Sequence, residues 1–238
     1  MISIKKLKIK IFADGAAVKD MFLLNNKDYI SGFTTNPSLM KQANILNYKI
    51  FAMQILKKIK KKSVSFEVTS DSFSEMEKQA LEIDKWSNNI FIKIPFTNSK
   101  GKKTLDLIKL LSAKGLKLNI TSVFTYEQAK EVLNVLNKNS EAYISVFAGR
   151  IADTGRDPIK IIRECVISSR KFKKVSILWA SCREIYNIFE ANKAGCHIIT
   201  VPHSILKKFS VIGKNLDKYS VETARDFYLD SKDIIFKF

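Results

Sequence analysis

The stretch FIKIPFTNSKG, residues 91–101, places a lysine inside an apolar run that otherwise has the pattern of a buried strand. An isolated ammonium group is costly to bury, and a buried lysine either pairs with an acceptor or loses its proton. The pattern therefore predicts an unusual environment for Lys93, which other parts of the chain must supply.

Short runs of the same β-branched kind recur along the chain, and each is followed by a longer segment with helical spacing. Eight strands are predicted, at residues 7–14, 29–35, 63–68, 90–96, 116–124, 142–149, 175–181 and 197–203. Eight βα units in 238 residues indicate an α/β fold of the closed (β/α)8 TIM barrel type, whose usual size is about 250 residues. An open doubly wound sheet is the alternative, but no GxGxxG motif follows the first strand.

The composition favours one domain. Hydrophobic residues make up 46% of the chain, and no stretch rich in glycine, proline or serine divides it. We expect a single barrel domain over residues 1–238, with a helical C-terminal segment at about 220–236. The N-terminus mixes charges with apolar residues, and no apolar run is long enough to span a membrane. These features predict a soluble, cytoplasmic protein without a membrane partner.

Neither the cysteines nor the charge points to a special ligand. Cys165, Cys182 and Cys196 lack the spacing of metal ligands, so we expect free thiols and no structural metal. The net charge of +18 raises the alternative of a barrel that only binds nucleic acid. However, the densest basic run, KKIKKKS at residues 57–63, has no interleaved aromatic residues to stack on bases. We predict a solvated lysine-rich surface and no nucleic-acid partner.

Side-chain parity sorts each strand if the strands close into a barrel, because alternate residues then face the lumen and the surrounding helices. The residues assigned to the lumen are Phe12, Asp14, Ser63, Ser65, Glu67, Phe91, Lys93, Asn119, Thr121, Ser145, Phe147, Trp179 and Ser181. Those assigned to the helix side include Val64, Phe66, Ile92, Ile94, Leu118, Ile120, Ile144, Val146, Leu178 and Ala180. The polar lumen residues gather toward the C-terminal ends of the strands, where barrel enzymes place their chemistry.

These polar residues suit imine chemistry. An amine in an apolar slot gives up its proton more readily, so Lys93 is a candidate nucleophile that attacks a ketone to form a Schiff base. The protonated imine is an electron sink, and cleavage of the neighbouring carbon–carbon bond requires a base and an acid. Asp14 and Glu67 are predicted to supply them.

A second group of polar residues follows the late strands. Arg150 comes after the sixth strand, and Ser181 and Arg183 come after the seventh. Guanidinium groups suit phosphate oxygens, and the late loops of barrels often hold phosphate. These three residues are therefore candidates for binding a terminal phosphate.

The chain resembles the transaldolase family through nearly its whole length. The segments that carry the resemblance are ADGA (13–16), GFTTNPSL (32–39), SFEV (65–68), FIKIP (91–95), LNITSVFT (118–125), ISVFAGR (144–150) and WASCR (179–183). The combination of TTNPS, IKIP and NITSVF is specific to that family. Val146 stands where many relatives have proline and Cys182 where an aromatic residue is usual, but neither change removes a reacting group.

The resemblance implies a reaction and a set of roles. A dihydroxyacetone unit would pass from sedoheptulose 7-phosphate to glyceraldehyde 3-phosphate, a step of the pentose phosphate pathway that gives erythrose 4-phosphate and fructose 6-phosphate. Lys93 would form the Schiff base, while Glu67 and Asp14 would share acid and base work with a water near Thr121. The implied substrate-binding residues are Thr34, Asn36, Asn119, Ser145, Phe147, Arg150, Ser181 and Arg183.

The resemblance implies no metal or organic cofactor. Short members of the family are similar to subunits of ring-like assemblies, so we expect a homo-oligomer, and the C-terminal segment is a candidate interface helix. The alternative function within the same fold is a fructose-6-phosphate aldolase, which releases free dihydroxyacetone. In those aldolases the third-strand carboxylate is similar to a glutamine and the sixth-strand aromatic residue to a tyrosine. Glu67 and Phe147 favour group transfer instead. His203, at the end of the last strand, has two interpretations, a satisfied structural histidine, which we favour, and a residue that reaches the site.

Overall fold

A computed structural model describes residues 7–234, which form a closed barrel of parallel strands in sequence order. The strands are β1 (Lys10–Asp14), β2 (Ile30–Thr34), β3 (Ser63–Glu67), β4 (Ile90–Pro95), β5 (Leu118–Val123), β6 (Ala142–Val146), β7 (Val175–Trp179) and β8 (Ile198–Pro202). The predicted (β/α)8 barrel and all eight of its strands are confirmed. The observed strands are mostly shorter because the chain turns into a loop or helix sooner than the apolar runs suggest.

Helices surround the barrel. They are α1 (Val18–Asn25), α2 (Pro37–Gln42), α3 (Tyr48–Lys58), α4 (Phe73–Asp84), α5 (Leu105–Ala113), α6 (Tyr126–Val135), α7 (Ala148–Ala152), α8 (Ile159–Ser169), α9 (Tyr186–Lys193), α10 (His203–Leu206) and α11 (Leu216–Asp230), with a 3-10 helix at Lys207–Val211. Side-chain caps start several of them. Thr125, for example, accepts a hydrogen bond from the Gln128 backbone and completes a capping box on α6.

Two apolar clusters divide the core. The larger one fills the space between the strands and the helices, and a smaller one lies inside the barrel around Phe12, Leu178 and Ile198. In the lumen the Tyr143 ring stacks on Phe91 with centroids 3.9 Å apart and meets Phe12 edge to face. These rings fill the lumen next to the polar residues at the C-terminal ends of the strands, so that the polar site is bounded on its inner side by apolar side chains.

The structure corrects the parity of β7. Trp179 belongs to the helix-side cluster, and Leu178 and Ala180 lie in the lumen cluster, the reverse of the prediction. The prediction extended the two-residue alternation through Ser181, but the strand ends at Trp179 and Ser181 has a left-handed φ of 64°. Alternation of faces holds only within extended backbone, so counting back from a serine beyond the strand reversed the assignment.

A related irregularity occurs in β5 without disturbing the prediction there. Ser122 has a φ of 58°, and the pairing of β5 with β6 shifts register between Ile120 and Val123. Thr121 lies just before this bulge and keeps the lumen orientation, while Val123 joins the helix-side cluster. Bulges of this kind redirect side chains next to functional sites in many proteins.

The C-terminal helix differs from its predicted bounds. It begins at Leu216, capped by the Asn215 side chain, and ends at Asp230, whereas the prediction ran from about 220 to 236. Residues 235 and 236 of that prediction lie outside the described residues. None of the side chains of α11 is buried, although several are large and apolar. Within residues 7–234, every helix is too short or too polar to cross a membrane.

Candidate active site

Lys93 lies on β4 at the centre of the polar end of the lumen and is only 7% exposed. Its Nζ donates to Oε2 of Glu67 at 3.0 Å and to the backbone carbonyl of Thr35 at 2.5 Å. Pairing is one of the two outcomes that the sequence allowed for a buried lysine at this position. The ammonium group has a carboxylate and a carbonyl as partners, which makes its burial possible.

Glu67 is the residue that connects the site. Register pairs it with Lys93 across β3 and β4. Its Oε2 accepts from Lys93, and its Oε1 accepts from the Thr121 hydroxyl at 3.0 Å. One carboxylate thus bridges an amine and a hydroxyl from two other strands in a continuous chain of hydrogen bonds.

Asp14 lies at the C-terminal end of β1, and β2 separates this strand from β3, which carries Glu67. Its Oδ1 accepts from the Thr34 hydroxyl at 2.7 Å, and that hydroxyl also lies 2.5 Å from the hydroxyl of Thr200. Burial raises the pKa of Asp14, and the nearby Lys93 ammonium and the Thr34 hydrogen bond oppose this effect. A carboxyl group with a raised pKa beside a paired carboxylate is the arrangement that separates an acid from a base.

Asn119 and Ser145 form a second chain of hydrogen bonds in the lumen. The Ser145 hydroxyl donates to Oδ1 of Asn119 at 2.6 Å, and Nδ2 of Asn119 donates to the Ser65 hydroxyl at 3.1 Å. Asn119 also pairs in register with Lys93 on the neighbouring strand. All of these side chains are buried, so their orientation is set before any ligand arrives.

Asn36 and Phe147 lie nearer to the rim. The side-chain oxygen of Asn36 caps α2 by accepting from the Leu39 backbone at 2.9 Å, which turns its amide NH2 group outward from the cap. Phe147 follows β6 and its ring lies against Phe124, with 5.7 Å between centroids. The Phe147 ring also supports the guanidinium of Arg150, which lies 5.6 Å from its centroid.

The three candidate phosphate residues gather where β6 and β7 end. Arg150 is on α7, and Arg183 forms an ion pair with Asp153, the C-terminal capping residue of the same helix. Gly149 brings the two strand ends together, because a Cβ at this position would stand 1.6 Å from the carbonyl oxygen of Ser181. Glycine is therefore required here by the close approach of two backbones.

Three groups in the site were not found by sequence reasoning. The Thr35 carbonyl, which contacts Lys93, belongs to a backbone that no pattern distinguishes. Thr200 on β8 has lumen parity next to Phe12 in the register, and that parity was a usable signal. The Tyr48 hydroxyl contacts the backbone of Glu67 from α3, a helix that parity does not address.

His203 and the cysteines lie beside the site. His203 Nδ1 is 3.6 Å from Oδ2 of Asp20, while its buried Nε2 has no partner among the described residues. The ring covers Gly15, next to Asp14, and burial lowers the pKa of His203. The three cysteines are free, and burial raises the pKa of each thiol to about 12. Among the described residues, no group of three or more His, Cys, Asp or Glu side chains is arranged to hold a metal ion.

The arrangement can activate an amine, hold water and exchange protons at two separate carboxyl groups. Comparison with known proteins supplies a family. Residues 11–236 match the sequence model of the family described as Transaldolase/Fructose-6-phosphate aldolase. A probable transaldolase of Dehalococcoides mccartyi is 34% identical over 199 residues, which are 83% of this chain and 88% of that protein. Probable transaldolases of Nitrosopumilus maritimus and Clostridium kluyveri are 33% and 36% identical, over 84% and 83% of this chain and 86% and 88% of theirs.

Proposed function

The chain belongs to the transaldolase/fructose-6-phosphate aldolase family, and on that premise we propose a transaldolase that transfers a dihydroxyacetone unit through a Schiff base on Lys93. The donor is sedoheptulose 7-phosphate and the acceptor is glyceraldehyde 3-phosphate, giving erythrose 4-phosphate and fructose 6-phosphate in the pentose phosphate pathway. The observation that carries the proposal is the contact of Lys93 Nζ with Glu67, whose other oxygen binds Thr121.

Imine formation begins when Lys93 passes a proton to Glu67 and its neutral amine attacks the ketone carbon of the donor. The carbonyl oxygen leaves as water after receiving two protons, one from the attacking nitrogen and one returned by Glu67. Thr121 holds Glu67 from the opposite side and orients that water. The product of this half is a protonated imine that withdraws electrons from the neighbouring carbon–carbon bond.

Cleavage needs a base at the adjacent hydroxyl, and we assign that role to Asp14. When the hydroxyl proton passes to Asp14, the carbon–carbon bond breaks, an aldose phosphate leaves, and the electron pair remains on the imine as an enamine. The acceptor aldehyde then forms a new carbon–carbon bond with the enamine, and Asp14 returns the proton to the new hydroxyl. Hydrolysis of the imine restores Lys93.

The other residues that the sequence analysis predicted to bind substrate keep that role in this proposal. Thr34 on β2, Asn36 at the start of α2, Asn119 on β5 and Ser145 on β6 bind the dihydroxyacetone part. Phe147 presents a ring rather than a proton donor. Arg150, Ser181 and Arg183 bind the terminal phosphate, and their support is the meeting of the two strand ends at Gly149. Arg183 would then exchange its Asp153 partner for phosphate.

A fructose-6-phosphate aldolase is the second candidate, because the family includes both activities. Release of free dihydroxyacetone requires a proton donor to the enamine before an acceptor arrives. Phenylalanine at position 147 cannot exchange a proton, which leaves Glu67, in contact with Lys93 and Thr121, as the group that activates water. These two features favour transfer over release.

We also propose a cytoplasmic homo-oligomer that acts without a cofactor. Leu216, Val221, Phe227 and Tyr228 are exposed on α11, which is more apolar surface than one solvated helix normally presents. A second copy of the chain is the proposed occupant of this surface.

Borohydride trapping tests the proposal. The protein is incubated with fructose 6-phosphate and borohydride, and the adduct is located by peptide mass spectrometry. We expect a reduced sugar adduct on Lys93, and Lys103, an exposed lysine paired with Glu131, serves as the internal control. Absence of an adduct on Lys93 would refute the imine. Turnover measured with and without erythrose 4-phosphate separates transferase from aldolase, because equal rates would favour the aldolase.

A further inference from the structure

The β2–β3 ladder stops before it reaches Glu67. The register pairs Thr34 with Ser65, and the Thr35 N–H donates to the Ser65 carbonyl at 3.2 Å. Two residues further on, the same parallel pattern would direct the Glu67 N–H to the Thr35 carbonyl. It would also direct the backbone N–H of residue 37 to the Glu67 carbonyl. Residue 37 is proline and has no N–H, so half of this ladder step is impossible.

The hydroxyl of Tyr48 takes the place of both missing ladder bonds. It accepts from the Glu67 N–H at 2.8 Å and donates to the Glu67 carbonyl at 3.0 Å. A buried backbone N–H and C=O without partners would each be destabilising, and one phenolic oxygen satisfies both. At the end of β3, the Tyr48 hydroxyl therefore makes the two hydrogen bonds that a longer β2 would make with the Glu67 backbone.

The phenol is held rigidly in this position. Tyr48 is the first residue of α3, whose N-terminus is capped by Asn47. The ring meets Phe66 and Trp86 edge to face, with centroids 5.9 Å and 5.8 Å away. Burial raises the pKa of Tyr48, so the hydroxyl stays neutral and keeps its ability to donate and accept.

Because the Glu67 N–H donates to the Tyr48 hydroxyl, it does not occupy the Thr35 carbonyl. That carbonyl instead accepts a hydrogen bond from Lys93 Nζ at 2.5 Å. We infer that Tyr48 is a positioning residue for the imine chemistry, because its hydroxyl fixes the Glu67 backbone and leaves the Thr35 carbonyl to hold Lys93. Without the hydroxyl, the Glu67 N–H competes with Lys93 for the Thr35 carbonyl. The inference rests on the proposed function, since it concerns the approach of Lys93 to a substrate ketone.

Tyr48→Phe tests the inference and Tyr126→Phe is the matched control. Tyr126 is also partly buried on a helix, and its hydroxyl lies 2.9 Å from the Ser168 hydroxyl, between α6 and α8. We expect Tyr48→Phe to lower kcat and the rate of borohydride trapping about tenfold, the equivalent of one hydrogen bond. KM for fructose 6-phosphate should stay within about twofold. Tyr126→Phe should leave kcat and KM unchanged.

Amide hydrogen exchange at Glu67 gives a readout that does not depend on activity. We expect faster exchange in Tyr48→Phe than in wild type or Tyr126→Phe, at matched distance from each thermal midpoint. Unchanged exchange and unchanged kcat would overturn the inference while wild-type trapping on Lys93 upholds the imine. Equal losses of kcat in both variants would also overturn it, because they would reflect stability alone. Failure of wild-type trapping would refute the imine and with it the catalytic part of the inference.

Discussion

Lys93 and Glu67 lie opposite each other on adjacent strands, with Nζ of the lysine 3.0 Å from Oε2 of the glutamate. Both side chains are mostly buried, so water contributes little to screening the pair. The other carboxylate oxygen is held by Thr121. Lys93, Glu67 and Thr121 are therefore joined by hydrogen bonds. In the proposed reaction the chemistry of the site depends on the carboxylate of Glu67.

Replacing that carboxylate isolates its contribution. Glu67→Gln keeps the size of the side chain and a hydrogen-bonding oxygen, but it cannot take a proton from Lys93. We expect kcat for transfer to fall by about 100-fold or more, in line with loss of a general acid or base, with a small change in KM. Steady-state kinetics with fructose 6-phosphate and erythrose 4-phosphate provide the measurement. Glu131→Gln, which breaks an exposed ion pair with Lys103, is the control and should retain full activity.

The close approach at Gly149 makes a second prediction. In Gly149→Ala the new Cβ would overlap the Ser181 carbonyl oxygen, so the ends of β6 and β7 must separate. We expect the free energy of unfolding to fall by about 2 kcal/mol, with a raised KM for the phosphorylated substrate. Urea unfolding and kinetics measure the two effects. Ala152→Ser, at an exposed position of α7, is the control. Normal stability and normal KM in Gly149→Ala would contradict the assigned phosphate site.

Asp14 predicts a pH dependence of stability. Because burial raises its pKa above 3.8, the folded protein binds more protons at Asp14 than the unfolded chain does at pH values between the unfolded and folded pKa. Stability contributed by Asp14 is therefore present below pH 3.8 and is lost as pH rises through the folded pKa. Asp14→Asn removes this loss while keeping a side-chain oxygen for the Thr34 hydroxyl.

The measurement is urea unfolding of wild type and Asp14→Asn across the acid range up to neutral pH. We expect the stability of the variant relative to wild type to increase as pH rises from 3.8. Asp157→Asn, at an exposed position before α8, should give no such trend. A difference between Asp14→Asn and wild type that decreases with pH would contradict the assigned direction of the pKa shift.

The exposed apolar side chains of α11 predict self-association. We expect wild type to sediment as a species several times heavier than the 27.1 kDa chain. Phe227→Glu should reduce that mass, because it places a charge in an apolar interface. Lys218→Glu, at another exposed position of α11, is the control for the added charge. A wild type that sediments as a monomer would refute the proposed oligomer.

The eight strands and their order could be predicted because apolar periodicity is a property of neighbouring residues. Parity also identified the lumen residues on β3, β4 and β5, including Glu67, Lys93 and Asn119. It failed at Trp179, because the chain leaves extended geometry immediately afterwards. Alternation does not locate the residue at which a strand ends. Extending β7 to Ser181, two residues beyond its end, therefore assigned Trp179 and Leu178 to the wrong faces.

The sequence by itself determined the barrel and most of the groups that face its lumen, Glu67, Lys93 and Asn119 among them, since both follow from the local spacing of apolar and polar side chains. Only the tertiary structure decided which groups meet. Lys93 contacts the Thr35 carbonyl because strand register brings these residues together. The Tyr48 hydroxyl bonds the Glu67 backbone because the start of α3 lies beside the end of β3. Such contacts depend on backbone atoms that every residue carries, so side-chain patterns hold no record of them.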